Sequence, residues 1–426
     1  MANLGSLAID WVPRAAATFG ALRYRNYRLW FFGQMISLAG TWMQSVAQGW
    51  LVYELAIQSD PQWARFALGA VPFLGSLPTL FLMIPAGVLA DRLPKRTILL
   101  VTQTAMMLQA LALAALTFLG LAQVWHVGLL ALSLGIANSF DAPTRQSLAV
   151  EMVEDRRDLA SAIAMNSLMF NVARILGPSL GGIVLATLGS SWCFFLNGVT
   201  FLAVIVALLL MRFPRGTRRL QAEPFFRQVG VGLRYIRGHV IVRTIILLVG
   251  FSSLFGFFHA ILLPAFARDI LRVGEAGLGW LQTAIGVGAV SGSLTVAVWG
   301  RSRYQGIILT IGSLVFPLAT IVFALSRFFP LSLVGLFLAG FGFVAQNASS
   351  NTLVQSIVPD ELRGRVMGVY TVMFFGTAPF CSLLAGALAQ ALDATWAIVI
   401  GSGLTLLFAL VLAAAVPALR RPDRAG

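Results

Sequence analysis

Charged residues are scarce in this chain. Only 11% of its 426 residues are Asp, Glu, Lys or Arg, whereas 58% are hydrophobic. A soluble protein usually carries about a quarter charged residues, which a chain of this length needs to cover its exterior. Together with the mean hydropathy of +0.85, this shortage excludes a soluble globular protein and favours a membrane protein with many spans.

Residues that carry catalytic or metal chemistry are also few. Lys95 is the one lysine and does not belong to a G-x-x-x-x-G-K-[ST] motif, so the chain has no phosphate-cradling loop of a transport ATPase. The three histidines lie on separate segments, and no HExxH occurs: His126, His239 and His259. Both cysteines lie in apolar runs, which does not predict a disulfide framework: Cys193 and Cys381. We therefore expect no cofactor, no metal site and no enzymatic activity.

Long apolar runs are abundant. Twelve of spanning length lie near residues 28–55, 66–90, 97–119, 124–150, 159–188, 192–211, 244–266, 278–299, 306–326, 330–357, 366–392 and 395–418. Only helices and closed barrels satisfy their backbone in hydrocarbon, and these runs are too long for barrel strands. The sequence predicts an all-α integral membrane protein with twelve transmembrane helices.

Basic residues are distributed unevenly between the apolar runs. If the N-terminus lies inside, the inside segments hold 25 of the 30 basic residues and the outside loops hold four: Arg65, Arg268, Arg272 and Arg327. The positive-inside rule explains this pattern and the net charge of +14 better than nucleic-acid binding does. We expect a multi-pass protein of the inner membrane with both termini in the cytoplasm. Residues 1–26 show no cleavable signal peptide.

A basic segment divides the chain. Residues 212–243 carry eight arginines and one acid, Glu223, as expected for a cytoplasmic linker that lies on anionic headgroups. We predict an N-terminal segment at 1–26, six-helix bundles at 27–211 and 244–418, and a tail at 419–426. A shift of 205 residues superposes Gly181 on Gly386 and Leu148 on Leu353, which indicates two pseudo-symmetric bundles.

The turn between the second and third runs has a recognisable pattern. GVLADRLPKR at 87–96 resembles the signature G-x-L-a-D-r-x-G-r-[RK] of the major facilitator superfamily, with matches at Gly87, Leu89, Asp91, Arg92, Lys95 and Arg96. Pro94 departs from the signature by replacing its second glycine. The resemblance implies a gate that latches the inner side in the outward-facing state. Asp91 is then expected near the start of the eleventh helix, beside Gly364 and Arg365, where the helix dipole favours an anion.

The fifth run has a second family-like pattern. GPSLGG at 177–182 resembles the tail of the antiporter motif of this superfamily, with matches at Gly177, Pro178, Gly181 and Gly182, whereas Ala164 and Ala173 replace its upstream glycines. The alternative to a functional motif is that these small residues only allow close helix packing. SFDAPTRQSLAVEMV at 139–153 and VPDELRGRVMGVY at 358–370 are similar to the enterobactin-exporter-like branch, which includes siderophore and multidrug exporters.

One permanent cation lies inside an apolar run. Arg174 is roughly 22 Å above the inner boundary of the bilayer, counted from Leu159, so it should face a cavity or an acid. Asp141 is a candidate partner and a candidate proton carrier if the fourth helix continues to Glu151. If the helix ends earlier, Asp141 is expected to pair with Arg145 instead. Glu54, near the outer end of the first helix, is the second proton-carrying candidate.

Amide side chains recur within the runs. Together with Arg174, those expected to line a mixed polar and aromatic substrate cavity are Gln44, Gln48, Asn138, Asn166, Asn171, Gln346, Asn347 and Tyr370. Each has the alternative role of bonding a neighbouring helix.

The family resemblance implies a secondary active transporter, with proton-coupled efflux of siderophores or drug-like molecules by alternating access. Its expected partners are a small organic substrate, protons and lipid, and a monomer is the working expectation. A passive uniporter or importer remains an alternative, and an integral-membrane enzyme is a more distant one.

Overall fold

The computed structural model describes residues 19–153, 155–212, 225–299 and 304–416. Helices account for nearly all of these residues. The first half contains α1 (Arg25–Ser59), α2 (Ala64–Arg92), α3 (Lys95–Phe118), α4 (Val124–Glu151), α5 (Leu159–Leu188) and α6 (Ser190–Leu210). The second half contains α7 (Val240–Ile270), α8 (Gly274–Trp299), α9 (Gln305–Leu325), α10 (Phe329–Ile357), α11 (Asp360–Ala391) and α12 (Ala394–Ala415).

Ten of these helices are long and apolar enough to cross a bilayer. The other two are α1 and α4, which have 35 and 28 residues and carry more polar side chains. Two helices are interrupted near their middle, α7 at Gly256–Phe257 and α11 at Gly376–Thr377. The described chain thus confirms the predicted twelve-helix, all-α architecture.

The helices form two bundles of six with matching internal contacts. In the first, α1 packs on α5 and α6, α2 packs on α4, and α3 packs on α6; in the second, α8 and α9 pack on α10, and α9 packs on α12. The bundles meet through α2 with α11 and α5 with α8.

Because the number of spans is even, both described chain ends lie on one face, called here the terminal side. The other face is called the opposite side.

The buried apolar residues form one cluster that both bundles share and several that belong to one bundle. The shared cluster lies toward the opposite side and joins Trp50 and Leu51 of α1 to Phe258 and Phe266 of α7. Separate clusters lie within the first bundle, around Trp30, and within the second, around Ile245. The two halves are therefore joined by apolar packing on the opposite side.

The predicted linker at 212–243 contains a helix. A helix at Phe225–Gly238, the linker helix, precedes α7, which begins at Val240. The linker helix packs on the first turns of α11, where a Cβ at Gly232 would lie 2.7 Å from the Arg365 carbonyl oxygen. Ile236 is buried against the second bundle. The described part of this segment is therefore docked on protein, whereas its contact with lipid headgroups stays a prediction; residues 213–224 lie outside the described ranges.

The described part of the N-terminal segment is also docked. A 3-10 helix at Gly20–Arg23 lies against the start of α5. The Ser161 hydroxyl accepts from the Ala21 N–H at 3.0 Å, and the Tyr24 hydroxyl donates to Asp158 Oδ2 at 2.9 Å. Arg23 forms an ion pair with Asp158. These contacts attach residues 20–24 to the first bundle.

Candidate transport pathway

Two glycine crossings join the halves on the opposite side. A Cβ at Gly182 of α5 would lie 2.7 Å from the Gly279 Cα of α8, and a Cβ at Gly386 of α11 would lie 2.9 Å from the Gly69 Cα of α2. Contacts this short are available only to helices without side chains at the crossing. The predicted repeat pairs α5 with α11, so the two crossings lie on related helices; the residue that it pairs with Gly386 is Gly181, one position before Gly182.

The antiporter-like motif provides one of these crossings. Gly181 and Gly182 lie on different faces of α5, against Met43 of α1 and Gly279 of α8 respectively. Gly177 also faces α1, where a Cβ would lie 2.7 Å from the Ala39 carbonyl oxygen. Pro178 has no N–H to bond the Arg174 carbonyl, which lies instead against Gly286 of α8. The motif thus brings α5 close to both α1 and α8.

Three hydrogen bonds between described residues cross the same side. Ser179 and Thr283 share one at 2.8 Å, the Phe66 N–H donates to Gln390 Oε1 at 3.4 Å, and the Tyr53 hydroxyl donates to Asp269. Tyr53, Asp269 and Gln390 line a cavity of about 290 Å³ together with Arg65. The sequence had assigned no role to Tyr53 or Asp269, because their 216-residue separation gives no local signal.

The described residues of the gate motif bond within their own half. Lys95 bonds both Ser147 and Glu151 of α4, and Arg96 Nη2 donates to the Leu209 carbonyl at 2.9 Å. A Cβ at Gly87 or Gly364 would meet no atom within 4 Å. The side chains of Asp91 and Arg92 lie outside the described residues, so the latch between Asp91 and the start of α11 stays a prediction.

The halves diverge toward the terminal side. The second segment of α11, Ala378–Ala391, packs along α2, whereas its first segment, Asp360–Phe375, packs on α7, α10 and the linker helix. On α5, contact with α8 extends from Gly182 to Arg174 and Ile175. Asn166, Ser167 and Phe170, nearer the terminal side, are exposed. The pathway between the bundles is closed on the opposite side and widens toward the terminal side.

Arg174 lies where this widening begins. Its guanidinium carbon is 5.9 Å from the centre of the Trp42 ring on α1, and Phe170 meets the same ring edge-on at 6.1 Å. Within the described ranges, Arg174 has no acid or hydrogen-bond acceptor as partner. The predicted cavity residue Asn171 is one turn earlier and donates to the Ser167 carbonyl at 2.9 Å.

Asp141 lies deep inside the first bundle, at 1% exposure. Gln103 Nε2 donates to its Oδ1 at 2.8 Å and the Thr102 hydroxyl donates at 3.1 Å. Its Oδ2 is 3.5 Å from Arg145 Nε, one turn along α4. Of the two pairings that the sequence left open, the structure shows Asp141 with Arg145, although α4 does continue to Glu151.

Two predicted cavity residues turn out to lie inside a bundle. Gln44 accepts from Asn197 Nδ2 at 2.7 Å and donates to Gln109 Oε1 at 3.3 Å, which ties α1 to α6 and α3. Gln346 donates to the Ser252 hydroxyl at 2.9 Å and ties α10 to α7. Both are buried. Their amides bond polar groups of neighbouring helices within one half. This is the alternative role that the sequence analysis gave to these residues.

The other predicted residues have varied surroundings. Gln48 and Asn138 are half-buried, and Asn166 is exposed. Asn347 donates to the Phe343 carbonyl at 3.2 Å, and the Tyr370 hydroxyl donates to the Asn347 carbonyl at 3.3 Å. Glu54 is half-buried near the opposite side. Among the described residues, no group of three or more His, Cys, Asp or Glu side chains is placed to hold a metal ion.

Comparison with known proteins agrees with this architecture. Residues 16–425 match the family model described as transmembrane secretion effector. The multidrug efflux pump Tap of Mycolicibacterium fortuitum is 27% identical over 408 residues, which cover 92% of this chain and 96% of that protein. The enterobactin exporter EntS of Escherichia coli is 27% identical over 395 residues, which cover 91% of each chain.

Solved structures show the same fold at low identity. The nucleoside transporter NupG superposes with a TM-score of 0.70 at 14% identity, over 92% of this chain and 98% of its own. A bacterial homologue of the lysosomal transporter Spinster superposes with a TM-score of 0.69 at 15% identity, over 94% and 98%. Both the family and the relatives are transporters rather than enzymes. With its twelve helices in two bundles, this chain belongs to the transmembrane secretion effector family of the major facilitator superfamily.

Proposed function

We propose that this transporter exports small organic molecules, such as siderophores or drug-like compounds, in exchange for protons. Two similar proteins named for multidrug efflux and enterobactin export support the direction. The observation that carries the mechanism is the one-sided closure between the bundles, with glycine crossings on the opposite side and divergence toward the terminal side. A carrier that alternates access needs contacts of this kind, which form and break as a unit.

The opposite-side contacts are suited to breaking. Among the described residues, their polar part includes three hydrogen bonds, and glycine lies against glycine at both helix crossings. The substrate enters from the terminal side in the state described here. Rocking of the bundles then closes that side, where the gate motif joins the start of α11, and opens the other.

The proton is assigned first to Asp141. A buried carboxylate is stable only while cations and donors compensate its charge, and Arg145 provides the cation. Protonation removes that charge and leaves Arg145, whose side chain is 25% exposed, without its partner. The proton on Asp141 thus changes the charge on the terminal-side half of α4. Glu54, on the opposite-side half of α1, is the second candidate.

The orientation follows from charge. With the terminal side in the cytoplasm of a cell bounded by an inner membrane, the basic segments lie inside and the substrate enters from the cytoplasm. The proposed partners are therefore a cytoplasmic organic molecule, protons and anionic lipid, with a monomer as the transporting unit.

Transport in proteoliposomes tests the proposal. The purified chain is reconstituted with a panel of candidate compounds, and counterflow of each labelled compound is measured first without a gradient and then with a pH gradient. We expect counterflow of at least one compound and uphill movement only with the pH gradient. Counterflow that never becomes uphill would indicate a passive uniporter. Chemical conversion of a compound without its movement would indicate an enzyme and refute the proposal.

A further inference from the structure

We infer that Arg174, Trp42 and Phe170 form a subsite for an organic anion that carries an aromatic ring. This inference deepens the proposed function, because it names a substrate class for the pathway between the bundles. Arg174 provides a permanent cation, since a guanidinium does not lose its proton at cellular pH. Trp42 and Phe170 provide apolar ring surface beside it.

The charge of Arg174 is not compensated inside the protein. Asp141, the acid that the sequence offered as its partner, is instead bonded to Arg145, Thr102 and Gln103. Within the described part of the chain, no other acid or acceptor bonds the Arg174 guanidinium. A cation in a transmembrane helix without a counter-ion is costly unless water or a ligand reaches it.

Arg174 is reached from the pathway. The side chain of Arg174 is half-buried, and its nitrogen atoms, which bond no described residue, are not fully enclosed. The backbone of Arg174 lies against Gly286 of α8, and its side chain lies over Trp42 of α1. Arg174 therefore lies at the level where the halves begin to diverge, with its backbone against α8 and its guanidinium over α1.

The neighbouring rings define the rest of the ligand. Trp42 is half-buried and Phe170 is 45% exposed, and the two meet edge-to-face. An aromatic ring of a ligand can continue this packing while its oxyanion meets the guanidinium. The planar fork of Arg fits a carboxylate, sulfonate or phosphate with two parallel hydrogen bonds, which a lysine does not reproduce.

Binding of three naphthalene compounds tests the subsite. The full chain is placed in nanodiscs of phosphatidylcholine, and calorimetry measures the Kd of 2-naphthoate, its neutral amide and 2-naphthylmethylammonium. We expect the anion to bind about tenfold more tightly than the amide, as one charge-assisted bond implies, and the cation to bind most weakly. R174Q should remove the preference for the anion, R174K should keep a weak remnant, and W42L should weaken both the anion and the amide.

The controls separate binding from folding. R234Q, an exposed arginine of the linker helix, should leave all three Kd values unchanged. R174Q should keep its affinity for the amide and its melting temperature; loss of both would identify Arg174 as a structural residue and overturn the subsite. An anion preference that survives R174Q, preference for the cation, or no binding of any compound would also overturn it.

Two further measurements, lipid displacement and counterflow, distinguish the subsite from a lipid site and from the exporter function. Displacement of naphthoate by added phosphatidylglycerol at one-to-one stoichiometry would make a lipid headgroup the occupant and overturn the proposal of a soluble substrate. Counterflow of an unrelated compound, with no naphthoate binding, would refute the subsite and leave the exporter function standing. Naphthoate binding that depends on Arg174, with no counterflow of any compound, would support the subsite and refute the exporter.

Discussion

A buried carboxylate shows how much a single residue depends on its neighbours. Asp141 has two hydrogen-bond donors from α3 and a cation one turn along α4. Removing an ionised carboxylate from water is costly, and paired donors offset much of that cost. Thr102, Gln103 and Arg145 thus compensate the charge of the Asp141 carboxylate, and a proton-coupled step would have to change this arrangement.

Asp141→Asn should abolish uphill efflux and keep substrate exchange. The Asn side chain has nearly the same shape and retains an oxygen for the Gln103 amide, but it cannot exchange a proton. Gradient-driven efflux and counterflow are measured on the same reconstituted variant, and we expect loss of the first only. The melting temperature should change little.

Glu54→Gln provides the comparison for this experiment. Glu54 forms no ion pair with another described residue, so its substitution should leave the fold and the Asp141 network intact. If the Asp141→Asn variant keeps full gradient-dependent efflux and the Glu54→Gln variant loses it, Glu54 becomes the proposed proton carrier. If both variants are fully coupled, neither acid carries the proton.

At the scale of helices, small residues decide how the halves close. The contacts of α5 with α8 and of α2 with α11 each place one glycine against another. Any side chain at these positions would separate the two backbones. The same change would cost much less in the state that is open on the opposite side, where the crossings are apart. Under the proposed alternating access, we therefore expect the glycines to bias the equilibrium between conformations.

Gly182→Ala should shift the carrier toward the state that is open on the opposite side. A Cβ there would lie 2.7 Å from the Gly279 Cα, so the closed state should lose about 1–3 kcal/mol. Spin labels at Thr187 of α5 and Trp280 of α8, after replacement of Cys193 and Cys381, report the distance between the two helices. We expect a longer distance to become populated and transport to slow.

Gly403→Ala is the matched control for this variant. A Cβ at Gly403 of α12 would meet no atom within 4 Å, so the distance distribution should not change. If Gly182→Ala has the same distribution as Gly403→Ala, the glycine crossing does not control closure.

Asp91→Asn should slow transport without unfolding the protein. The expected latch with the start of α11 stabilises one conformation, so its loss changes populations more than stability. We expect a reduced counterflow rate at matched expression, with yield and melting temperature close to those of the unmodified chain. A normal rate in this variant would count against a latch at Asp91.

At the scale of the whole molecule, charge sets the orientation. The 30 basic residues outnumber the 16 acidic ones, and most of them lie on the terminal side. Because the positive-inside rule counts Lys and Arg near the spans, we expect both chain ends in the cytoplasm. A fluorescent protein fused after the last residue should fluoresce, and alkaline phosphatase fused there should be inactive. Active phosphatase at that position would reverse the proposed direction of substrate entry.

Much of this architecture is encoded locally. Hydropathy alone predicts twelve helices, because each span must bury its own backbone bonds in hydrocarbon. Short patterns such as GVLADRLPKR and GPSLGG identify the family, since their residues lie within one turn or one helix. Hydropathy did not reveal the linker helix at Phe225–Gly238, because this helix is too short to span and its docking on α11 depends on a distant segment.

The sequence by itself thus determined the class, the twelve spans and the family of this protein. Only the tertiary structure decided which polar side chains meet: Asp141 with Arg145 and not Arg174, Gln44 with Asn197, and Tyr53 with Asp269. It also decided that Gly182 faces Gly279 on the closed side. The physical reason is distance along the chain. The hydropathy that predicts a span is a property of about twenty consecutive residues. The pathway instead forms where helices of both halves, which are distant in sequence, approach in space.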